Sequence, residues 1–160
     1  VVSTQPHASA DVEKDRRLLG RARADAAYPI RSLLDAGVRV AFGSDFPSEP
    51  TYEPLYGMHL AVNRESSEAI TPEEALRAYT TGSAYAEFKE NEKGQVAPGF
   101  LADFAVLSGN PLQVAERSIK DIRVEMTIVD GRVVFKSGGG TSAEFPSGQW
   151  ISLSEREQTQ

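Results

Sequence analysis

The sequence contains no cysteine and only two histidines, His7 and His59. Disulfide bonds, thiolate nucleophiles and cysteine-ligated zinc sites are therefore excluded. No apolar run is long enough to cross a bilayer. Positive charge is not in excess either, because the formal net charge is -6 at pH 7. This charge argues against nucleic acid or an anionic membrane as the main partner.

The composition of the 160 residues is that of an ordinary globular protein, with 40% hydrophobic and 25% charged residues. The chain starts at Val1 without an initiator methionine or a signal-peptide charge pattern, and its first residues are typical of a strand already under way. We therefore expect that Val1 is the cut end of a longer, cytoplasmic protein. The alternative is that a signal peptide lies upstream of Val1.

The segment from Val38 to Pro47 is where we expect the chemistry. Its first five residues are apolar except for Arg39, and the run ends at Gly43-Ser44 with Asp45 directly after it. Such a strand is buried on both faces, as in parallel sheets. Catalytic groups of parallel barrels lie where the strands end. Asp45 is therefore the first catalytic candidate, and its alternative is a turn aspartate that bonds its own backbone.

The residues before this strand predict a βαβ unit. Val1 to Gln5 is a short strand, and His7 lies just past its end. The balanced charges of Ser9 to Asp25 predict a solvated loop or a short helix. A helix is expected from Asp25 to the stop at Gly37, with Pro29 in its first turn. Its apolar positions are Ala26, Ala27, Ile30, Leu33 and Leu34.

Helices are also expected after Asp45. The proline-rich stretch 47–54 predicts a loop over the strand end, and the apolar spacing predicts a helix over 54–63. Thr71 as N-cap, with Glu74 three residues later, is the signature of a capping box. Gly82-Ser83 is expected to break the helix that follows.

The last third of the chain is β-rich. Pro98-Gly99 has the residues of a type II turn, residues 104–107 predict a strand, and Asp130-Gly131 predicts a hairpin between 123–129 and 132–136. We expect three parts: 1–90, 91–137, and a flexible tail at 138–160 in which only Trp150 and Ile151 could dock.

Three motifs together resemble a known family. They are Gly37 to Pro47, then Thr71-Pro72-Glu73-Glu74-Ala75-Leu76, then Gly94 through Pro98-Gly99 to Ala102-Asp103-Phe104. In this order they resemble the C-terminal part of metal-dependent hydrolases of the amidohydrolase superfamily, most closely amidohydrolase family 3, which includes N-substituted formamide deformylase-like enzymes. The resemblance covers about residues 1 to 136.

The resemblance implies an α/β fold, a (β/α)8 TIM barrel that holds one or two divalent metals, with zinc expected. Residues 1–5 and 38–43 would be the last two barrel strands, and residues 91–136 would belong to a small β-sandwich. Asp45 matches the aspartate that ligates metal and takes a proton from the attacking water. The other ligands of the family lie upstream of Val1.

Four further residues have less specific roles. His7 would lie on the same rim as Asp45, where substrate contact or orientation of another group is favoured over metal ligation. His59 shares an apolar helix face and is expected to be a core or interface residue. For Arg64 we favour neutralising the end of its helix over binding a substrate carboxylate, and Asp103 is expected to be a structural acceptor.

The expected function is hydrolysis of a carbon-nitrogen bond, other than a peptide bond, in a small amide-type molecule. Asp45 would be both metal ligand and catalytic residue, and His7 would bind substrate. The isolated chain is expected to lack tight zinc binding and activity. The alternative is a non-catalytic remnant or assembly module whose half-barrel edge pairs with a partner or a second copy, giving a homo-oligomer.

Overall fold

The computed structural model describes residues 1–138. The tail from residue 139 onwards, with the docking predicted for Trp150 and Ile151, lies outside these residues. Two short parallel strands begin the fold, β1 (Val2–Thr4) and β2 (Val40–Phe42). Val2 lies opposite Val40 and Thr4 opposite Phe42. Every residue of β2 is buried, which confirms the buried parallel strand expected before Asp45.

The connection between these strands is helical. A 3₁₀-helix (Pro6–Ser9) follows β1, and then come α1 (Val12–Leu19), α2 (Arg21–Ala26) and α3 (Ile30–Asp35). The charged segment from Ser9 to Asp25, for which a solvated loop or a short helix was predicted, is therefore helical. Its first helix begins at Asp11, whose carboxylate accepts a hydrogen bond from the Lys14 N–H at 2.9 Å.

The single helix expected from Asp25 to Gly37 is wrong. Helix α2 ends at Ala26, and α3 begins after Pro29, which is its N-cap residue and does not lie in its first turn. A residue before proline is disfavoured in the helical region, and Tyr28 instead takes a positive φ of 52°. The Tyr28 hydroxyl donates to the Ala8 carbonyl at 3.1 Å, so a tertiary contact supports the break.

Three more helices follow β2: α4 (Pro54–Val62), α5 (Pro72–Tyr79) and α6 (Thr81–Ala86). Helices α5 and α6 pack on β2, and α4 packs on α5 and on the first 3₁₀-helix. The capping box at Thr71 and Glu74 is confirmed. None of the helices within residues 1–138 is long and apolar enough to cross a membrane. The buried core joins the helices to β2 and comprises Ile30, Val40, Phe42, Met58, Ala61, Val62, Ile70, Ala75, Ala78 and Ile119.

The helix break expected at Gly82-Ser83 is present but lies two residues earlier, at Thr80. Both residues lie inside α6, and the backbone turns at Thr80, with φ -113° and ψ -91°. A Cβ atom at Gly82 would collide with the carbonyl oxygen of Val40. Glycine is therefore present because α6 packs directly on the backbone of β2, which local sequence cannot reveal.

The remaining strands form an antiparallel sheet in the order β3 (Phe104–Leu107), β4 (Val124–Val129) and β5 (Arg132–Lys136). Asp130 and Gly131 have φ values of 50° and 73°, which confirms the two-residue hairpin. The type II turn is also confirmed, because Gly99 has φ 87° and the Phe100 N–H donates to the Ala97 carbonyl. A 3₁₀-helix (Glu116–Asp121) between β3 and β4 packs on α4.

Candidate active site

The carboxyl ends of β1 and β2 lie at one edge of the parallel pair. The Gly43 N–H donates to the Thr4 carbonyl at 3.2 Å and continues the pairing beyond β2. His7 follows the end of β1 by three residues, and Asp45 follows the end of β2 by three residues. Parallel strands thus bring both predicted site residues to the same edge.

Asp45 is exposed and has a φ of 61°, in the left-handed region. The hydrogen bonds of its turn use other atoms: the Phe46 N–H donates to the Ser44 hydroxyl at 3.3 Å, and the Glu49 N–H donates to the Asp45 carbonyl at 3.2 Å. No ion pair within residues 1–138 involves the Asp45 carboxylate. This carboxylate is available to a ligand.

His7, in contrast, is buried, with 2% of its surface exposed. Its Nε2 lies 3.1 Å from the carbonyl oxygen of Glu53. Because a carbonyl only accepts, Nε2 is the donor in this hydrogen bond. Nδ1 is itself buried and has no hydrogen-bond partner in the part of the chain described. The ring packs at a tilt against Tyr56, with centroids 5.8 Å apart.

Gly57 and Tyr79 complete the surroundings of His7. A Cβ atom at Gly57 would collide with the Tyr79 hydroxyl and would lie 2.7 Å from Cε1 of His7. The Tyr79 ring packs edge-on against Phe42, with centroids 5.2 Å apart. Burial raises the pKa of the Tyr79 hydroxyl, which therefore stays protonated. Sequence reasoning missed both residues, since their contacts join segments distant in the chain.

The donor set for a metal is small. Within residues 1–138 there is no group of three or more His, Asp and Glu side chains placed to hold an ion. The exposed carboxylate of Asp45 has the chemistry of a ligand for a hard or borderline divalent cation. The described residues therefore offer one candidate ligand at the strand ends.

The roles expected for His59 and Asp103 are confirmed. His59 lies where α4 packs on the second 3₁₀-helix, and its ring stacks on Tyr56 with centroids 6.3 Å apart. Burial lowers the pKa of His59, and a hydrogen bond to the backbone of Glu116 opposes the shift. The Asp103 carboxylate accepts a hydrogen bond from the Asp130 N–H at 2.8 Å. Both are structural residues.

The role expected for Arg64 is corrected by the structure. Its guanidinium donates to the carbonyl oxygens of Ala24 and Ala27, at 3.3 and 2.5 Å, and lies over the Tyr28 ring. Arg64 thus satisfies the C-terminal end of α2 and not that of its own helix. The prediction that Arg64 interacts with a helix C-terminus is correct, but the sequence does not show that the helix is α2.

Comparison with known proteins agrees with this arrangement. The model of amidohydrolase family 3, described as "Amidohydrolase family", matches residues 2–135. The chain belongs to the amidohydrolase family. It is 38% identical over 120 residues to the N-substituted formamide deformylase of Arthrobacter pascens, a match that covers 70% of this chain and 22% of that protein.

Solved structures of hydrolases resemble this chain of the amidohydrolase family. An uncharacterised metal-dependent hydrolase from Pyrococcus furiosus has a TM-score of 0.58 and 32% identity, covering 69% of this chain and 24% of that one. A variant of the atrazine chlorohydrolase TrzN from Arthrobacter aurescens, complexed with zinc and atraton, has a TM-score of 0.55 and 27% identity, covering 68% and 27%. The chain spans about a quarter of the length of the curated relatives it matches.

Proposed function

We propose that this chain is the C-terminal part of a metal-dependent amidohydrolase. The reaction is hydrolysis of a carbon-nitrogen bond, other than a peptide bond, in a small amide-type molecule. The observation that carries the proposal is Asp45, an exposed carboxylate at the carboxyl end of a buried parallel strand, in a chain of this family. A deformylase among the relatives supports the type of bond.

In this proposal β1 and β2 are the last two strands of a (β/α)8 barrel, and residues 91–137 are part of a small β-sandwich. The parallel pairing of β1 with β2, through a helical crossover, supports the barrel part. The antiparallel sheet β3-β4-β5 supports the sandwich part. The further metal ligands come from polypeptide outside this chain.

The chemistry of Asp45 follows from its carboxylate. The Asp45 carboxylate would ligate the ion, for which we propose zinc, and would accept a proton from the attacking water and return it to the leaving amine. When bound, a divalent ion at this position would lower the pKa of the water and polarise the amide carbonyl. For His7, burial and the hydrogen bond to Glu53 favour an orienting role over direct substrate contact.

Asp45→Asn tests the proposal in a protein that joins the preceding part of the barrel to this chain. Asparagine keeps the size of the side chain but cannot accept the proton, so we expect hydrolysis of an N-substituted formamide to fall by about 10³-fold or more. Released amine measures the reaction, and circular dichroism checks the fold. Asp35→Asn, an exposed carboxylate on α3, is the matched control and keeps its activity. Undiminished turnover in the Asp45 variant would remove this residue from the mechanism.

A further inference from the structure

His7 contacts the loop that carries Asp45. We infer that His7 is a positioning residue for Asp45, acting through a buried latch that comprises His7, Gly57 and Tyr79. The latch fixes both ends of residues 43–53, which we name the Asp45 loop. Its role in catalysis rests on the function proposed above, whereas its role in ordering the loop rests on contacts within this chain.

The start of the Asp45 loop is fixed to its neighbours on two sides. Phe42, the last residue of β2, has its ring edge-on to Tyr79, and its carbonyl accepts a hydrogen bond from the Ser83 hydroxyl at 3.3 Å. The next residue, Gly43, donates to the Thr4 carbonyl of β1. The chain therefore leaves β2 in one fixed direction, three residues before Asp45.

The end of the Asp45 loop is fixed by His7. The Glu53 carbonyl receives two hydrogen bonds, one from His7 Nε2 at 3.1 Å and one from the Gly57 N–H of α4 at 3.1 Å. Both lone pairs of this oxygen are thus satisfied. Because His7 also follows the end of β1, its ring ties the end of the loop to the same edge of the sheet from which the loop starts.

Gly57 allows the two halves of the latch to meet. The space that a Cβ atom would fill holds the Tyr79 hydroxyl and Cε1 of His7. Tyr79, which packs on the start of the loop, and His7, which bonds its end, therefore both contact the first turns of α4. A larger residue at position 57 would push α4 and Glu53 away from the imidazole.

The stretch between the two fixed ends has little freedom of its own. Pro47 and Pro50 restrict its backbone, and the Glu49 N–H closes a turn on the Asp45 carbonyl. Asp45 itself has a positive φ, a conformation that persists where the surroundings impose it. Catalytic groups must be held to within about 0.5 Å of their productive geometry. Loosening either end would misplace the carboxylate without removing it.

His7→Gln and His7→Asn form a matched pair that tests the latch. Glutamine places its amide nitrogen near the position of Nε2, whereas asparagine places it near Nδ1 and cannot reach Glu53. The first measurement is hydrogen-deuterium exchange of the peptide covering residues 43–57 in the 160-residue chain. We expect exchange about tenfold faster in His7→Asn, and unchanged in His7→Gln and in the control Asp35→Asn, whose side chain is exposed on α3.

The second measurement is steady-state kinetics in the protein that includes the preceding part of the barrel. We expect His7→Asn to lower kcat by about 10- to 100-fold with KM and zinc content unchanged, and His7→Gln to restore most of kcat. A raised KM at constant kcat would identify a substrate contact, and lost zinc would identify a ligand. Either result would overturn the positioning role.

Exchange and kinetics separate the latch from the proposed function. If the wild-type protein has no turnover, the proposed function fails, and the exchange measurement still decides whether His7 orders the Asp45 loop. Unchanged exchange in His7→Asn overturns the latch. If His7→Asn does not fold, His7→Gln decides instead. Its amide nitrogen still donates to the Glu53 carbonyl, so faster exchange of the Asp45 loop in this variant would show that the hydrogen bond to Glu53 does not hold the loop.

Discussion

At the scale of the residue, single polar side chains hold segments that are far apart in the sequence. Arg64 is the best example, because it donates to the last carbonyl groups of α2 some 40 residues earlier. Helix α2 has only six residues. At its end the Ala24 carbonyl also accepts from the Ala27 N–H, whereas the Ala27 carbonyl accepts from the Arg64 guanidinium. Burial lowers the pKa of the Arg64 guanidinium, and the carboxylates of Glu68, Asp15 and Asp25 oppose this shift.

Arg64→Met therefore leaves the carbonyl oxygen of Ala27 without a donor, whereas the Ala24 carbonyl keeps the hydrogen bond from the Ala27 N–H. We expect the free energy of unfolding to fall by about 1–3 kcal/mol, the cost of leaving a partly buried acceptor unpaired. Urea denaturation of the chain measures this loss. The control is Arg77→Met, since the ion pair of Arg77 with Glu73 is exposed and contributes about 0.5 kcal/mol or less. Equal effects in the two variants would contradict the role given to Arg64.

At the scale of the element, α3 depends on a carboxylate supplied from outside the helix. Glu68 accepts hydrogen bonds from the N–H and the hydroxyl of Ser32, at 2.9 and 2.5 Å, in the first turn of α3. Burial would raise the pKa of Glu68, but the hydrogen bonds from Ser32 and Arg31 and the charge of Arg64 outweigh burial and lower it. A negative charge at a helix N-terminus is also favourable to the helix dipole.

The lowered pKa of Glu68 gives a definite sign to the dependence of stability on pH. The stability that Glu68 contributes is fully present above pH 4.5, the ordinary pKa of a glutamate. It is lost as the pH falls through the lower pKa that Glu68 has in the folded state. We expect Glu68→Gln to lose about 1–2 kcal/mol at pH 7, the usual worth of a charged cap, and less at acidic pH. Urea denaturation at pH 7 and pH 3 tests this, with exposed Glu65→Gln as the control. A loss that is the same at both pH values would contradict it.

At the scale of the whole molecule, the antiparallel sheet leaves much apolar surface in contact with water. Every residue of β5 is exposed, including Val133 and Val134 at 57% and 44%. Successive residues of a strand point to opposite faces, so the sheet is apolar on both sides. This surface lies on the antiparallel sheet and not at the half-barrel edge expected from the sequence. It favours a second candidate function, an assembly module that pairs with another copy of the chain through this sheet.

Size-exclusion chromatography distinguishes this second function. An assembly module elutes above the 17.4 kDa of one chain. Val133→Lys and Val134→Lys each place a charge on one face of the sheet. We expect one of them to shift the elution to that of a monomer, which identifies the face that associates. Lys136→Arg, which conserves charge on the same strand, is the control. A wild-type chain that elutes as a folded monomer would count against assembly.

The sequence by itself determined the features whose causes lie within a few residues. The apolar run before Asp45 predicted a buried parallel strand, Thr71 and Glu74 predicted a capping box, and Asp130-Gly131 predicted the hairpin. Each of these depends on backbone conformation and burial that neighbouring residues specify. The family motif around Asp45 came from the same local pattern.

Only the tertiary structure decided which distant groups satisfy one another. Nothing near Arg64 shows that α2 is its partner, and nothing near Gly82 shows that β2 passes against it. The hydrogen bond from His7 to Glu53 spans 46 residues. Buried polar atoms must find partners wherever the fold brings them together, and local sequence carries no record of that choice. Sequence therefore placed Asp45 at a strand end, and the fold decided what holds it there.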